Sequence, residues 1–335
     1  LVNIKNTTLI ILFALIVTSC GNSGKVKIGF LMPADVGSRW VIDQKFVEEV
    51  AKKNGCEILT RSAKNDENLQ MKQAEELLDM GVDVLIVVAH NANTAAAIVR
   101  SAHDKGVPVI GYDRLIKNSD LDYLVTFEGA KIGSLMLDYA LARKPQGNYV
   151  MLWGDAGDVN AIFIKDAQEK ILKPYIENNK INIVYKALVD DWSEGNANYI
   201  TKKILSLSGK RVDAIITSYD GLAIGAIKAM DELEYGGDVI VTGQDAEIAA
   251  IKAVVAGKMS LTVYKSIRKI AEASVDLAIK LAHGERVKNV SSTINNGRKD
   301  VPTLFLEPVA VTKDNIRQTV LADGFYTEQQ IYGNN

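Results

Sequence analysis

The stretch MKQAEELLDMGVDVLIVVAH occupies residues 71–90 and joins a helical pattern to a buried strand. Residues 71–80 have the apolar spacing of an amphipathic helix, and Gly81 stands where a left-handed helix cap is needed. Residues 84–89 are continuously apolar, which is typical of a strand in a parallel sheet covered by helices on both faces. This stretch therefore predicts an α/β fold with parallel sheets.

The same phrase recurs in the second half of the chain, where VDAII at 212–216 matches VDVLI at 82–86. Between the apolar runs lie helical patterns such as 95–105 and 224–233, with Gly106 and Gly237 expected at helix ends. The alternation predicts two βαβαβαβαβ halves, that is, two Rossmann-like lobes. Ten runs are predicted as strands, at 26–32, 56–60, 84–89, 108–112 and 123–127, then at 149–153, 183–188, 214–217, 239–242 and 260–264.

The end of the chain does not repeat this pattern. Residues 267–283 predict a helix, NNG at 295–297 a turn, 301–306 an extended segment and 312–323 a final polar helix. We expect this tail to join the two halves.

Composition and charge exclude several classes of protein. The 335 residues favour about two domains, and 47% hydrophobic with 24% charged residues is typical of a folded chain. Lysine and arginine number 39 against 41 acidic residues, so no basic field exists to hold nucleic acid. Two cysteines do not make a disulfide scaffold, and Cys56 is expected to be buried and inert.

The first twenty residues, LVNIKNTTLIILFALIVTSC, have the pattern of a secretory signal. Residues 9–17 form an apolar run of nine, too short to cross a hydrocarbon core of ~30 Å. The run ends at TSC, which resembles a bacterial lipobox, so we expect cleavage before Cys20 and its acylation. The alternative is a plain secretory signal with an unmodified Cys20.

Charged, amide and indole side chains follow the predicted strands, at the edge where parallel sheets bind ligands. Carboxylates and amides accept hydrogen bonds from hydroxyls, arginine and lysine donate them, and indoles cover C–H faces, so this set favours a sugar. Each member alone has a structural explanation: a helix cap for Asp158 or Asp220, core packing for Trp40, and a neutral strand end for His90. The strand-end residues are Arg39, Trp40, His90, Asn91, Asp113, Arg114, Asp158, Asn160, Asp191, Trp192, Asp220, Gln244, Asp245 and Lys265.

Several phrases carry a family resemblance over residues 25–325. The chain resembles the periplasmic-binding-protein type I superfamily and, within it, the D-xylose-binding proteins of ABC sugar importers. The phrases are RWVID at 39–43, GYDR at 111–114, PQGNY at 145–149, LKPY at 172–175, GQDA at 243–246, TVYK at 262–265 and NNGRKDVP at 295–302.

The resemblance implies specific roles in binding a sugar. Trp40 and Trp192 would stack on opposite faces of the sugar, and six polar residues would bind its hydroxyls: Arg39, Asp113, Arg114, Asn160, Asp245 and Lys265. Tyr219 departs from the pattern because xylose binders commonly have asparagine there, which leaves the identity of the sugar open. Tyr219 and Asp220 complete the predicted site, with His90 and Asn91 as secondary candidates.

The resemblance also implies a hinge of several strands, near 127–130, 265–266 and 302–303. One lobe would then comprise residues 25–129 with about 267–302, and the other residues 130–266 with about 303–335. Residues 128–129 read EG where an Asp-Asn pair is often seen in the family, a change expected at the hinge and not in the pocket.

We therefore predict an extracytoplasmic, membrane-anchored lipoprotein that captures a monosaccharide, most specifically D-xylose, and delivers it to the permease of an ABC importer. The same fold could instead signal to a membrane histidine kinase. An enzyme is disfavoured because neither GxGxxG nor GxxxxGK[ST] follows a strand, and a transcription factor because residues 1–24 contain a signal segment. We predict no cofactor, no metal and no nucleic-acid partner.

Overall fold

The computed structural model describes residues 24–34, 39–285, 287, 290 and 292–333. The predicted signal peptide and its Cys20 lie outside these residues. Within the described part of the chain, no helix is both long and apolar enough to cross a membrane.

The first sheet has seven strands, in the order β11-β12-β5-β4-β3-β1-β2. Its strands are parallel except β11, which runs antiparallel to β12 at the edge. All four residues of the central strand β3 are buried, as its continuous apolar sequence predicts. The bounds are β1 Lys27–Met32, β2 Glu57–Ser62, β3 Val84–Val87, β4 Val109–Tyr112, β5 Tyr123–Phe127, β11 Ser292–Asn295 and β12 Asp300–Leu306.

The second sheet has six strands, in the order β13-β10-β9-β8-β6-β7. It is parallel except for β13, which pairs antiparallel with β10. The bounds are β6 Gly147–Trp153, β7 Ile181–Leu188, β8 Ala214–Thr217, β9 Ile240–Gln244, β10 Leu261–Tyr264 and β13 Val309–Val311.

Helices cover both sheets, and several of them begin at side-chain caps of the expected kind. Asp66 accepts hydrogen bonds from the backbone of Asn68 and Leu69 to start α2, and Ser266 caps α9 in the same way. The bounds are α1 Trp40–Lys53, α2 Glu67–Asp79, α3 Ala96–Asp104, α4 Gly129–Arg143, α5 Val159–Glu177, α6 Glu194–Leu207, α7 Asp220–Glu232, α8 Ile248–Val255, α9 Ile267–Ala282 and α10 Glu328–Tyr332.

The two halves share one strand order. Strands β1 to β5 lie in the order 2-1-3-4-5, and β6 to β10 lie in the equivalent order 7-6-8-9-10. The prediction of two parallel α/β lobes built on one repeated pattern is therefore confirmed, and all ten predicted strands are present to within two residues at most ends. In each sheet the order in which the strands are added changes direction, between β1 and β3 in the first sheet and between β6 and β8 in the second. Open parallel sheets bind ligands at this point.

The chain passes between the two sheets at three places. It crosses after β5, where Glu128 precedes α4, and again after β10, where Lys265 and Ser266 precede α9. The third crossing was expected at 302–303, but Thr303 to Leu306 pair with β5 in the first sheet. The chain therefore leaves the first sheet only at residues 307–308, because the ladder with β5 extends to Leu306 opposite Phe127.

Other details of the structure differ from the sequence predictions. The expected polar helix over 312–323 is reduced to turns and a short π-helix, Arg317–Leu321. Gly237 does not cap α7, because the helix ends at Glu232 and Glu234 takes the left-handed conformation, with φ 47°. Cys56 is only partly buried, and this burial raises the pKa of its thiol.

Candidate functional site

A cavity of about 250 Å³ lies between the carboxyl ends of the two sheets. Its size is slightly below the ~300–1,000 Å³ of most small-molecule pockets, so it suits a small ligand. The lining residues are Ala34, Arg39, Trp40, Asn65, Asp113, Arg114, Asp158, Asn160, Asp191, Trp192, Tyr219, Gln244, Asp245, Glu247 and Lys265.

Four lining residues follow β1 and β4, and we call them the first rim: Arg39, Trp40, Asp113 and Arg114. We call the second rim the four that follow β7, β8 and β9: Trp192, Tyr219, Asp245 and Glu247. The two rims face each other across the cavity, since each belongs to a different sheet.

Arg39 occupies the N-terminus of α1 and is almost fully buried. Its Nε and Nη2 atoms donate to the two oxygens of Asp43, at 3.0 and 3.1 Å, in a bidentate pair within one helical turn. Tyr112 donates to the same carboxylate at 2.5 Å. The Arg39 guanidinium is therefore held in place by Asp43 without the need for a ligand.

The remaining nitrogen of Arg39 joins the two rims. Its Nη1 atom lies 3.5 Å from Asp113 Oδ2 and 3.4 Å from Asp245 Oδ1. Burial alone would lower the pKa of Arg39, but the charges of Asp113, Asp43 and Asp245 raise it well above its ordinary value. Arg39 is thus held as a cation between the sheets.

Lys265 completes this charged network from the second crossing segment. Its ammonium lies 3.1 Å from Asp245 Oδ1 and 3.5 Å from Asp113 Oδ1. Although burial raises the pKa of a carboxyl, the cations Arg39, Lys265 and Arg114 lower the pKa of Asp113 below its ordinary value. Asp113 is therefore kept as an ionised hydrogen-bond acceptor at the floor of the cavity.

Asp113 and Asp245 occupy equivalent corners of the two halves. Each follows the fourth strand of its half in a backbone conformation of positive φ, 63° and 95°. Each donates its backbone N–H to the next strand, to Val125 O at 2.8 Å and to Val263 O at 2.9 Å. Such a conformation is unfavourable for a residue with a side chain, and here it turns both carboxylates toward the cavity.

Trp40 is buried at the start of α1, with arginines on its ring. The guanidinium carbons of Arg39 and Arg114 lie 4.8 and 5.3 Å from the ring centroid, within cation–π range. Because Trp40 lines the cavity, this arrangement gives the first rim a flat apolar surface edged by donors.

Arg114 and Asn160 also connect the two halves. The Arg114 guanidinium lies 3.2 Å from Asp158 Oδ2 and donates to Ala89 O at 3.2 Å. The Asn160 amide donates to Asp113 O at 3.1 Å. Asp158 also caps α5 through the Asn160 backbone at 2.9 Å, so its cap role and its place in the cavity coexist.

Trp192 projects from a turn with an unusual backbone. Asp191 and Trp192 both have positive φ, 56° and 53°, and Asp155 accepts the Asp191 N–H at 2.7 Å. The Trp192 ring lies against Gly154, where an added Cβ would collide with it. Glycine at 154 is therefore required for this ring to reach the cavity wall.

Tyr219 and Glu247 form a hydrogen-bonded pair in the second rim. The Tyr219 hydroxyl donates to Glu247 Oε1 at 2.7 Å, and the tyrosine ring meets Trp192 edge to face at 5.9 Å. Burial, with the nearby charge of Asp245, raises the pKa of Glu247 to about 7, and burial raises the pKa of Tyr219 as well. This side of the cavity thus combines aromatic surface with a weakly acidic carboxyl.

The structure brings nine of the ten primary candidates to the cavity wall and places three other predicted residues elsewhere. Asp220 lies behind the wall, fully buried, where its carboxylate accepts from Glu247 N at 2.8 Å and from the Thr262 hydroxyl at 3.0 Å. Burial raises the pKa of Asp220 well above its ordinary value. Asp220 therefore supports the second rim from below and does not line the cavity.

His90 and Asn91, the secondary candidates, lie outside the cavity lining. The Asn91 side chain accepts from the backbone of Asn93 and Thr94, so it stabilises its own turn. The His90 backbone donates to Gln70, and burial together with the charge of Arg114 lowers the pKa of its imidazole. Both residues serve the loop after β3.

Sequence reasoning did not assign five polar lining residues to the site: Asn65, Asp158, Asp191, Gln244 and Glu247. Gln244 was noted at its strand end, and its buried Oε1 has no partner among the described residues, so it can accept from a ligand. Glu247 reads in the sequence as the start of α8, and Asn65 as a loop residue. Asp158, Asp191 and Gln244 carried a usable signal, because each follows a predicted strand, at 149–153, 183–188 or 239–242.

The cavity matches a small uncharged ligand with many hydroxyl groups. The three cations Arg39, Arg114 and Lys265 are already paired with aspartates, so none of them needs an anionic ligand. The indoles of the two rims supply apolar faces. Among the described residues, no group of three or more His, Cys, Asp or Glu could hold a metal ion.

Comparison with known proteins agrees with this geometry. The model of the periplasmic binding protein domain matches residues 28–286. The chain belongs to this family. Its members bind solutes, and the prediction of a binding protein and not an enzyme is confirmed.

The chain is similar over nearly its full length to two curated relatives. It is 37% identical to the D-xylose-binding periplasmic protein of Haemophilus influenzae over 330 residues, which covers 98% of this chain and 99% of the relative. It is 36% identical to the protein of the same name from Escherichia coli over 329 residues, with the same coverage.

Solved structures show the same architecture. An ABC transporter solute-binding protein from Clostridium phytofermentans with bound β-D-glucose superposes with a TM-score of 0.85, at 29% identity, covering 91% of this chain and 99% of that one. A carbohydrate transporter solute-binding protein from Chloroflexus aurantiacus in complex with D-glucose has a TM-score of 0.83, at 27% identity, covering 90% and 97%.

Proposed function

We propose that this family member is an extracytoplasmic binding protein that captures D-xylose and delivers it to the permease of an ABC importer. The observation that carries the proposal is the cavity itself, which is lined by one indole from each rim among charged side chains that pair with one another. The identity to two D-xylose-binding relatives over nearly the whole chain supports the choice of sugar.

Each rim would contribute to sugar binding in a distinct way. Trp40 and Trp192 cover the two C–H faces of the ring, while Asp113 and Asp245 accept from hydroxyls. Arg39, Arg114, Asn160 and Lys265 donate to hydroxyl and ring oxygens. Because a hydrogen bond contributes about 1 kcal/mol net, affinity requires that the rims enclose the sugar and exclude water.

Enclosure would come from closure of two lobes about the three crossing segments. The first lobe would comprise residues 25–129 with 267–306 and the second residues 130–266 with the remaining tail, since β12 stays in the first sheet and β13 joins the second. A sugar that contacts both rims binds the closed form better and so shifts the equilibrium toward it. The closed form would then be the one that the permease recognises.

The test is isothermal titration calorimetry of the ligand-free protein against D-xylose, D-ribose, D-glucose and D-galactose. We expect binding of D-xylose with a dissociation constant of about 0.1–10 μM, together with a change in tryptophan fluorescence. Tighter binding of D-glucose, the sugar held by the two similar solved structures, would reassign the ligand. Heat with none of the four sugars would overturn the proposal.

We further propose that Cys20 is acylated and anchors the protein in a membrane. The support is the apolar run of nine residues followed by TSC, because two or three acyl chains give stable anchoring. A Cys20→Ser variant is expected to move from the membrane fraction to the soluble fraction, with Cys56→Ser as the matched control. Unchanged membrane association of Cys20→Ser would contradict acylation.

A further inference from the structure

Two helices of the second rim begin at residues that do not cap them. Tyr219 is the N-cap residue of α7 and Glu247 is that of α8, and neither side chain makes a capping hydrogen bond. Serine, threonine, asparagine or aspartate at such a position stabilises a helix by about 1 kcal/mol. Both positions forgo this stabilisation, so their side chains serve a different purpose.

These two side chains instead bind each other across the cavity wall. The Tyr219 hydroxyl donates to Glu247 Oε1 at 2.7 Å, and both residues line the cavity. The Glu247 backbone is itself fixed, because its N–H donates to Asp220, which also holds Thr262 on β10. The pair is therefore anchored to the second sheet.

The tyrosine ring in turn determines where Trp192 can lie. The two rings meet edge to face, with centroids 5.9 Å apart and planes at 86°. Trp192 sits on a backbone of positive φ, and its ring rests on Gly154. The Tyr219 ring folds over Gly221, where any Cβ would collide with it, so glycine at 221 is required for this position of the ring.

We propose that Tyr219, held by Glu247, positions the Trp192 ring and closes this side of the cavity against ligands larger than a pentose. The inference rests on the proposed sugar-binding function and adds a size limit to it. A hexopyranose carries a hydroxymethyl group that a xylopyranose lacks, and a phenol ring occupies more space than this group. Rejection of one extra methylene in a fitted pocket is worth about 10- to 200-fold.

The first measurement is the ratio of D-glucose to D-xylose dissociation constants for the wild-type protein and for Tyr219→Ala, Tyr219→Phe and Glu247→Gln. In Tyr219→Ala we expect the ratio to fall at least tenfold, because the cavity opens and Trp192 loses its support. Tyr219→Phe keeps the ring but loses its hydrogen bond to Glu247, so it should shift the ratio less than Tyr219→Ala and more than Glu247→Gln. Glu247→Gln keeps an acceptor oxygen for the Tyr219 hydroxyl and should shift the ratio less than threefold. Tyr199→Ala, an exposed tyrosine on α6, is the matched control.

The second measurement needs no ligand and reports the position of Trp192 directly. Tyr219→Ala should red-shift the tryptophan emission of the free protein, and the shift should vanish when the same change is made in a Trp192→Phe background. Circular dichroism establishes that each variant is folded.

The outcomes separate this inference from the function on which it rests. If the wild-type protein binds D-xylose but Tyr219→Ala leaves both the ratio and the Trp192 emission unchanged, the inference is overturned and the function stands. If the wild-type protein binds no sugar, the function fails, and an unchanged Trp192 emission in Tyr219→Ala overturns the positioning role as well.

Discussion

The first and second rims start from the same backbone corner and end with different physical characters. Asp113 and Asp245 occupy equivalent positions, both with positive φ and both bonded to the next strand. Behind Asp113 the first rim is a buried ionic network, in which Arg39 and Tyr112 both donate to the Asp43 carboxylate. The second rim instead combines two aromatic rings, Trp192 and Tyr219, with the carboxyl groups of Asp245 and Glu247.

This difference predicts that the first rim contributes mainly to the stability of the fold and the second rim mainly to recognition of the ligand. The charges of the first rim are buried and fully paired, so removing one leaves its partners uncompensated in a medium of low polarity. In the second rim Trp192 sits on a strained turn and Tyr219 at a helix start without a side-chain cap, so we expect the fold to depend on these two rings less. Substitutions in the two rims should therefore differ in which property they change.

The largest effect is expected from Arg39→Ala in the first rim. The change leaves Asp43, Asp113 and Asp245 without their shared guanidinium, which should lower the free energy of unfolding by about 3–5 kcal/mol. Sugar binding should fall below detection in calorimetry. Lys45→Ala, in the same helix but with an exposed side chain, should change neither property. A loss of less than 1 kcal/mol in denaturant unfolding would show that the network does not stabilise the fold.

The two rims should also respond to pH with opposite sign. The pKa of Asp113 is lowered in the folded protein, so its stabilising contribution is present above its unfolded pKa and is lost as pH falls through the folded value. The pKa of Glu247 is raised to about 7, so its folded carboxyl holds a proton that the unfolded chain has already released. Ionising it costs about 2–3 kcal/mol of stability between about pH 4.5 and 7.

The measurement for Glu247 is the difference in unfolding free energy between the wild type and Glu247→Gln across this range. Relative to the variant, the wild type should lose stability as pH rises from 4.5 to 7. The charges of Asp245 and Glu194 near Glu247 act in the same direction as burial, while the Tyr219 hydrogen bond opposes them. A flat difference would mean that Glu247 is solvated more fully than its position in the cavity wall indicates.

A smaller effect, confined to binding, is expected from Trp192→Ala in the second rim. Loss of one indole face should weaken D-xylose binding at least about tenfold, or about 1.4 kcal/mol. The free energy of unfolding should change by less than about 1 kcal/mol, since the substitution also removes a bulky residue from a turn of positive φ. Trp153→Ala, which removes a buried ring bonded to Gln168, should show the reverse pattern. Equal losses of stability in the two variants would break the distinction between the rims.

The sequence predicted the first rim more completely than the second, for physical reasons. Continuous apolar strands can be recognised from the sequence pattern, and parallel strands end at one edge, so Arg39, Asp113 and Arg114 could be placed at the cavity. Contacts between the first residues of different helices leave no such pattern in the sequence. In the structure Glu247 lines the cavity and Asp220 lies behind the cavity wall. Neither position could be predicted, because both depend on how α7 packs against β9 and α8.

The tail shows a similar limit. The extended segment at 301–306 was predicted, but its partner strand was not, because pairing with β5 is a contact between distant residues. The expected helix over 312–323 failed for the same reason: tertiary contacts, such as Tyr264 and Ser266 donating to Asp323 at 2.5 Å, override weak helical periodicity.

The smallest effect should come from the contact that joins the first rim to the start of α5, the ion pair between Arg114 and Asp158. This residue caps α5 and also lies 3.2 Å from the Arg114 guanidinium, so Asp158→Asn keeps a capping oxygen and removes only the charge. Loss of the ion pair should weaken closure by about 1 kcal/mol and raise the dissociation constant for D-xylose about fivefold. Asp158→Ala removes both roles and should additionally lower the melting temperature. If Asp158→Asn binds D-xylose as tightly as the wild type, the Arg114–Asp158 ion pair does not contribute to closure. Closure is then determined by the contacts of Arg39 and Lys265 with the aspartates at the floor of the cavity.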